Sequence, residues 1–254
     1  MSQSFQVSSA QCPTLLILDE GAIFIGPPLD LSPHRIPLTT LAIGLQQSFD
    51  LAIPPSSPEV SQRIAIIPAG ALHRLRARGD MAFVYTGHAA FSDPADMPAT
   101  DLAALAGRVG DRRLSTLEAL EAAHELLDAL AIPRLKSPET PLERATIEIA
   151  HRPWDTPRAT IAASLAGLES QRFRRLLQRE TGLSFRQHLM RGRVAATISC
   201  LADGGSLTDA AHAAGFSSSA HLSSTFRAMF GIAPSTLVRL NTRFIAGPAG
   251  DRSR

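Results

Sequence analysis

Between residues 171 and 179 the chain places Gln171, Arg172, Arg174, Arg175, Gln178 and Arg179 on one side of a helical spacing, with Phe173, Leu176 and Leu177 on the other. An apolar back carrying guanidinium and amide groups on its front is how a helix addresses a DNA duplex. Arginine matches guanine edges and phosphate oxygens in a fork geometry, and glutamine matches adenine. A second stretch, Ser217-Ser218-Ser219-Ala220-His221-Leu222-Ser223-Ser224, has the same inward spacing through Leu222 and Phe226. Its presumed front carries hydroxyls and no arginine. Hydroxyls there suit phosphate contacts, and Arg227 lies one turn further on.

The elements that position these faces form a repeat. Ile161-Ala162-Ala163-Ser164-Leu165-Ala166-Gly167-Leu168 precedes the first face, and Gly182-Leu183 follows it. Ala210-Ala211-His212-Ala213-Ala214-Gly215-Phe216 precedes the second, and Gly231-Ile232 follows it. Each copy is a small-residue helix, a glycine turn, an amphipathic helix and a closing glycine, the layout of a helix-turn-helix. Helices are expected over Leu142–His151, Pro157–Ala166, Glu169–Glu180, Ser184–Leu201, Leu207–Ala214 and Ser217–Phe230. Ser184–Leu201 joins the two copies and spans about 27 Å as one helix. Successive major grooves on one face of a duplex lie roughly 34 Å apart, so such a strut suits two adjacent reading helices.

Charge divides the same way. Residues 1–140 hold 10 basic and 15 acidic residues, whereas 141–254 hold 15 and 8. A basic second half fits a polyanion partner, and the opposite signs make a docked, inhibited form conceivable. The first half reads as β-rich, with short apolar runs at Thr14–Leu18, Ala22–Ile25, Leu38–Leu45, Phe49–Ile53, Arg63–Ile67 and Met81–Tyr85 between turn signals. Leu114–Leu130 then has helical period. Its stripe of Leu117, Leu120, Leu127 and Leu130 has two open readings, packing on its own barrel or pairing with a second subunit as a dimer helix. Residues 133–141 are the expected linker.

Residues of about 142–240 resemble the DNA-binding domain of the AraC/XylS family of transcription regulators. The likeness is carried by Arg179-Glu180-Thr181-Gly182-Leu183-Ser184-Phe185, by Arg193-Val194-Ala195-Ala196-Thr197, and above all by Ala213-Ala214-Gly215-Phe216-Ser217, Phe226-Arg227 and Phe230-Gly231-Ile232-Ala233-Pro234-Ser235. The resemblance places base contacts on Gln171, Arg174 and Arg175 in the first copy and on Ser219, Ala220, Ser223 and Ser224 in the second. Arg172, Arg179, Arg191 and Arg227 are the candidates for the DNA backbone. Arg191 has a second reading, a buried salt bridge between subdomains. Glu169 stands at the first helix cap where the family has a Ser/Thr type. With no arginine on the second face, the first copy is expected to dominate sequence discrimination.

The first half resembles the cupin-like sensor barrel of such regulators through Ile66-Ile67-Pro68-Ala69-Gly70-Ala71-Leu72-His73-Arg74-Leu75, with Pro33-His34-Arg35 upstream. It lacks the histidine and carboxylate cluster of metal cupins, so no metal or other cofactor is expected. Arg35, His73 and Tyr85 are the candidates for an effector pocket. The expected fold is α+β: a cupin-like β-barrel with a dimerisation helix over 1–132, the linker, an all-α domain with two helix-turn-helix motifs over 142–240, and a flexible tail over 241–254. The expected function is sequence-specific, double-stranded DNA binding in transcription regulation. A homodimer, contact with RNA polymerase and a small-molecule effector are possible, with no membrane association.

No phosphate loop, HExxH or Gly-x-Ser-x-Gly motif points to an enzyme. The alternatives are a DNA-repair alkyltransferase-like regulator using Cys12, which lacks a partnering Cys/His cluster, and an effector-free architectural DNA binder. No basic leader or membrane-length apolar run occurs, so the expected compartment is cytoplasmic.

Overall fold

The computed structural model describes residues 13–27, 30–54, 59–87, 98–132, 139–153 and 158–247. Nine strands come first: β1 (Thr14–Ile17), β2 (Gly21–Gly26), β3 (Asp30–Arg35), β4 (Thr39–Gly44), β5 (Phe49–Ala52), β6 (Val60–Gln62), β7 (Ile64–Ile67), β8 (Leu72–Ala77) and β9 (Met81–Thr86). Helices α1 (Ala99–Val109) and α2 (Thr116–Ala129) follow. The second half holds α3 (Pro141–His151), α4 (Ala159–Leu165), α5 (Ser170–Thr181), α6 (Phe185–Ala202), α7 (Leu207–Ala213), α8 (Ser219–Phe230) and α9 (Pro234–Arg239), then strand β10 (Arg243–Ala246).

The strands form two open sheets rather than the expected closed barrel. One has the order β10-β1-β2-β9-β4-β7 and the other β3-β8-β5-β6. Alternation sorts the larger sheet's residues between two cores. Phe24, Phe83 and Tyr85 face one core together with Phe49, Leu51 and Leu75 of the smaller sheet. Ile23, Ile25, Leu41 and Val84 face the other, which α1 and α2 close. Burial on both faces makes these strands read as unbroken apolar runs.

Helix α2 starts with a capping box: Ser115 Oγ accepts from Glu118 N–H at 3.3 Å, and Ser115 N–H donates to Glu118 Oε2 at 2.7 Å. Its leucine stripe turns inward. Leu120, Leu127 and Leu130 are buried against the helix's own sheet, and only Leu117, 72% exposed, faces out. Three of the four leucines are thus packed on the chain's own sheet, as in the first of the two readings. Leu127 is also joined in this core by Leu102, Ala106 and Val109 of α1, a helix that the Pro/Asp-rich stretch before it obscures in the sequence.

The second half does not sit apart. The core between the sheets continues into it: Leu183, Val194, Ile198, Phe216, Leu222, Phe226, Met229 and Phe230 belong to the same apolar cluster as Phe24, Phe83 and Tyr85. Tyr85 meets Phe230 edge to face, with ring centroids 5.2 Å apart. By contrast, Ala162, Ala163, Phe173 and Leu177 of the first repeat pack with Ala145 and Ile149 of α3 in a small core of their own.

Residues 243–246, expected within a flexible tail, form β10, which pairs in parallel with β1 from Thr14 opposite Arg243 to Ile17 opposite Ala246. Ile245 is buried among the residues under α2. The end of the helical half is thereby stitched onto the first sheet. Residues 133–138 of the expected linker and 248–254 of the expected tail lie outside the described residues, while Thr140 and Pro141 already open α3.

A shared core has a thermodynamic signature. Phe226→Ala should destabilise the chain by about 3–5 kcal/mol and shift the β-rich and helical signals together in urea unfolding. Two separate transitions, with only the helical one displaced, would contradict the shared core.

Candidate nucleic-acid interface and interdomain cavity

Two helix pairs, α4–α5 and α7–α8, flank the 18-residue α6. Small residues let each pair cross closely: Ala162, Ala163 and Ala166 under α5, and Ala210, Ala211 and Ala214 under α8. Glu169 caps α5 by accepting from Gln171 N–H at 2.9 Å and Arg172 N–H at 3.1 Å. Those hydrogen bonds hold its carboxyl below the usual carboxylate range. An acid replaces the Ser/Thr-type cap and adds favourable charge at the helix start. Ser218 caps α8, accepting from His221 N–H at 3.1 Å.

Both reading helices close on a left-handed glycine, Gly182 (φ 72°) and Gly231 (φ 71°). Each glycine also abuts the first half. A Cβ on Gly182 would lie 2.7 Å from the Gly87 carbonyl oxygen, and one on Gly231 would lie 2.7 Å from His34 Nε2. Gln187, at the start of α6, donates to the Pro37 carbonyl at 3.1 Å. The β-rich half therefore touches the two reading helices at their C-terminal ends and leaves their fronts open. Gln171, Arg172, Arg174, Arg175, Gln178 and Arg179 are all exposed. On α8, Ser219, Ala220, Ser224 and Arg227 are exposed and Ser223 is partly buried. Arg179 pairs with Glu180 at 2.6 Å on the open surface.

Arg191 departs from the expected backbone contact. Its Nη2 donates to the Asp19 carbonyl oxygen at the β1–β2 turn, and it lies partly buried between the halves. Burial pushes its guanidinium down from the usual range while Asp19 and Glu20 oppose that shift, and arginine stays cationic throughout. Asp19 Oδ1 also meets His151 Nε2 of α3 at 3.3 Å. Arg191 thus bridges the halves through a main-chain carbonyl, not through the buried salt bridge of its second reading.

Beside this cluster lies a cavity of about 410 Å³ between the halves. Ala22, Leu38, Tyr85, Val194, Ala196, Met229 and Phe230 supply apolar wall, and Arg191, His151, Asp19, Ser199 and Cys200 supply the polar positions. The volume is within the ordinary range for small-molecule sites. Burial raises the Tyr85 phenol above its ordinary range. Of the three residues expected to form an effector pocket, only Tyr85 lines this space. Arg35 is exposed and donates to the Gly70 carbonyl at 2.7 Å, tying down the β7–β8 turn. His73 is buried on the smaller sheet, its Nδ1 3.0 Å from the Ala71 carbonyl and its ring 4.4 Å from that of His34. The sequence pointed to Tyr85 by type. Arg191 and His151 were missed because they come from the other half of the chain.

Among the described residues, no group of three His, Cys, Asp or Glu side chains could hold a metal, and no helix is long and apolar enough to cross a membrane. Cys12 and Trp154 lie outside the described residues.

Residues 162–239 match the family model of a helix-turn-helix domain, and this part of the chain is an AraC-type helix-turn-helix domain. Over the whole chain, the fold is similar to that of ToxT from Vibrio cholerae O395, at 10% identity and a TM-score of 0.51, covering 90% of this chain and 96% of that one. An apo variant of ToxT from strain SCE256 aligns at 11% identity and a TM-score of 0.52, over 88% and 98% of the two chains. ToxT bound to (E)-4-(8-methylnaphthalen-1-yl)but-3-enoic acid aligns at 11% identity and a TM-score of 0.50, over 90% and 98%. No curated protein matches the chain. The likeness extends to both halves: a β-rich first domain and a helical second one.

The joint between α5 and α6 carries a pH signature. His188 is buried, and Thr181 Oγ1, 2.8 Å from its Nε2, already donates to the Leu177 carbonyl at 2.6 Å. His188 Nε2–H is therefore the donor, and the ring is held neutral. Burial, with Arg191 nearby, lowers its pKa to about 3. The unfolded chain binds this proton near pH 6.5 and the folded chain does not. This contribution is complete above about pH 6.5 and is lost as pH falls towards 3, at about 1.4 kcal/mol per unit. In urea unfolding from pH 7.5 to 4.5, His188→Gln should lose less stability than the parent, by about that slope. Equal slopes would contradict the buried neutral ring.

Proposed function

We propose that this chain is a sequence-specific DNA-binding transcription regulator of the AraC/XylS type, in which α5 and α8 enter neighbouring major grooves of one duplex. The observation that carries it is the pair of capped, outward-facing helices joined by α6, with their fronts uncovered by the β-rich half. α5 supplies most base discrimination through Gln171, Arg174 and Arg175, with Arg172 and Arg179 on phosphates. α8 adds Ser219, Ala220, Ser223 and Ser224 at base edges, and Arg227 anchors it to the backbone. Binding weakens with salt because neutralised phosphates release counterions.

The β-rich half is the sensing domain, and the interdomain cavity is its effector site. An apolar wall with Arg191 and His151 at one edge suits a small hydrophobic molecule ending in a carboxylate, and the acid bound in the ToxT structure is of that class. Such a ligand competes with Asp19 for Arg191 and contacts α6 and α8 directly. It acts by adjusting how the two reading helices sit, since the reading faces are not masked by the first half. A docked form that inhibits by charge masking is therefore not part of this proposal.

Two experiments test the proposal. On a duplex selected from a random library by the full-length protein, Arg174→Ala should cost about 1–3 kcal/mol and relax preference at one base pair, whereas Ser223→Ala should cost less specificity. A larger specificity loss from Ser223→Ala would reverse the assignment of the two helices. For the effector site, an unsaturated long-chain fatty acid should change the affinity for that duplex. Arg191→Gln should abolish the response; an unaltered response would place the effector elsewhere.

A further inference from the structure

The proposed reading face of α8 is short of strong hydrogen-bonding groups. Its exposed residues include Ser219, Ala220, Ser224 and Ala228, and Arg227 stands a full turn or more from the helix start. His221 is exposed within the first turn, among the residues of a reading helix that approach base edges.

The His221 ring is held from two sides. Ser217 Oγ lies 3.1 Å from Nδ1. The imidazole and the Phe216 ring form a T-shaped pair, with centroids 5.3 Å apart and planes at 86°. Phe216 is itself buried in the core shared by both halves, and the Arg193 guanidinium of α6 lies over its ring, 5.6 Å from the centroid. The imidazole is thus tied to the strut and to the turn of the second helix pair. With Nδ1 engaged by Ser217, Nε2 is the ring nitrogen left to meet a partner.

We propose that His221 is a base-reading residue of the second helix-turn-helix, presenting Nε2 to one base edge in the groove that α8 enters, with Ser217 as the residue that positions it. When Ser217 donates to Nδ1, the imidazole proton sits on Nε2 and the ring donates to an acceptor such as guanine O6 or N7. The protonated ring also donates from Nε2. The first repeat has Arg172, assigned above to phosphate, at the corresponding third position of its helix, so the second helix reads a base edge where the first holds the backbone. The inference rests on the DNA-binding reading of the two helices.

The test uses the full-length chain and duplexes enriched from a random library. The parent's selected sequence is compared with those of His221→Ala, His221→Phe and Ser217→Ala. His221→Ala and His221→Phe should each flatten preference at the same single base pair, from about tenfold to less than twofold, with the other positions unchanged. Arg174→Ala should flatten a different base pair. Ser217→Ala should weaken preference at the His221 position only. If His221 merely packs on Phe216, His221→Phe retains the parent's preference, and that result overturns the proposal. A uniform loss of affinity with unchanged base preference marks a phosphate contact and overturns it as well. If the parent enriches no sequence at all while binding duplex DNA, the sequence-reading function fails, and this inference falls with it.

Discussion

Tyr85 on the last strand of the first domain meets Phe230 at the end of the last reading helix, and the rest of the architecture depends on that contact. It marks a single apolar core running from between the two sheets into α6 and α8. Burying aromatic rings across a domain boundary stabilises one relative placement, because separating the halves would expose them to water. The second helix pair is therefore built into the β-rich domain, whereas the first has its own core with α3 and is joined through α6.

This asymmetry gives the cavity a mechanical meaning. Its walls are β1, β2 and β9 on one side and α6 with the end of α8 on the other. A molecule there touches the strut between the reading helices without an intermediary. The polar groups at its edge already hold the β1–β2 turn: Arg191 ties it to the strut and His151 ties it to α3. In the proposed effector site, a ligand anion at Arg191 would exchange one partner of the guanidinium for another and so bias the arrangement without adding a large interface. Close approach at Gly182 and Gly231 leaves the first domain in contact with α5 and α8 at their C-terminal ends.

The helical half was legible because its information is local. Glycines at 167, 182, 215 and 231 punctuate the helices, and the alanines mark where helices cross. Even the acid at Glu169 reads as a cap. The β-rich half was legible only in part. β2, β4 and β9 stand out as apolar runs, but the pairing that leaves two open sheets is non-local. β3 carries Pro33, His34 and Arg35, and β8 alternates buried His73 and Leu75 with exposed Arg74 and Arg76. Neither resembles an apolar run. β10 was hidden because its four residues become a strand only against β1, which is more than 200 residues away. The leucine stripe of α2 shows the same limit: Leu120, Leu127 and Leu130 specify an apolar face, not what covers it. The cavity could not be read from either half, since Tyr85 and Arg191 are brought together only by the shared core.

Native-state hydrogen exchange, followed by mass spectrometry on the full-length chain without DNA, tests the shared core most directly. Amides of α8 should open together with those of β9, at the same free energy, while α5 opens separately and more readily. Exchange of α8 in step with α5, both well before β9, would contradict the account.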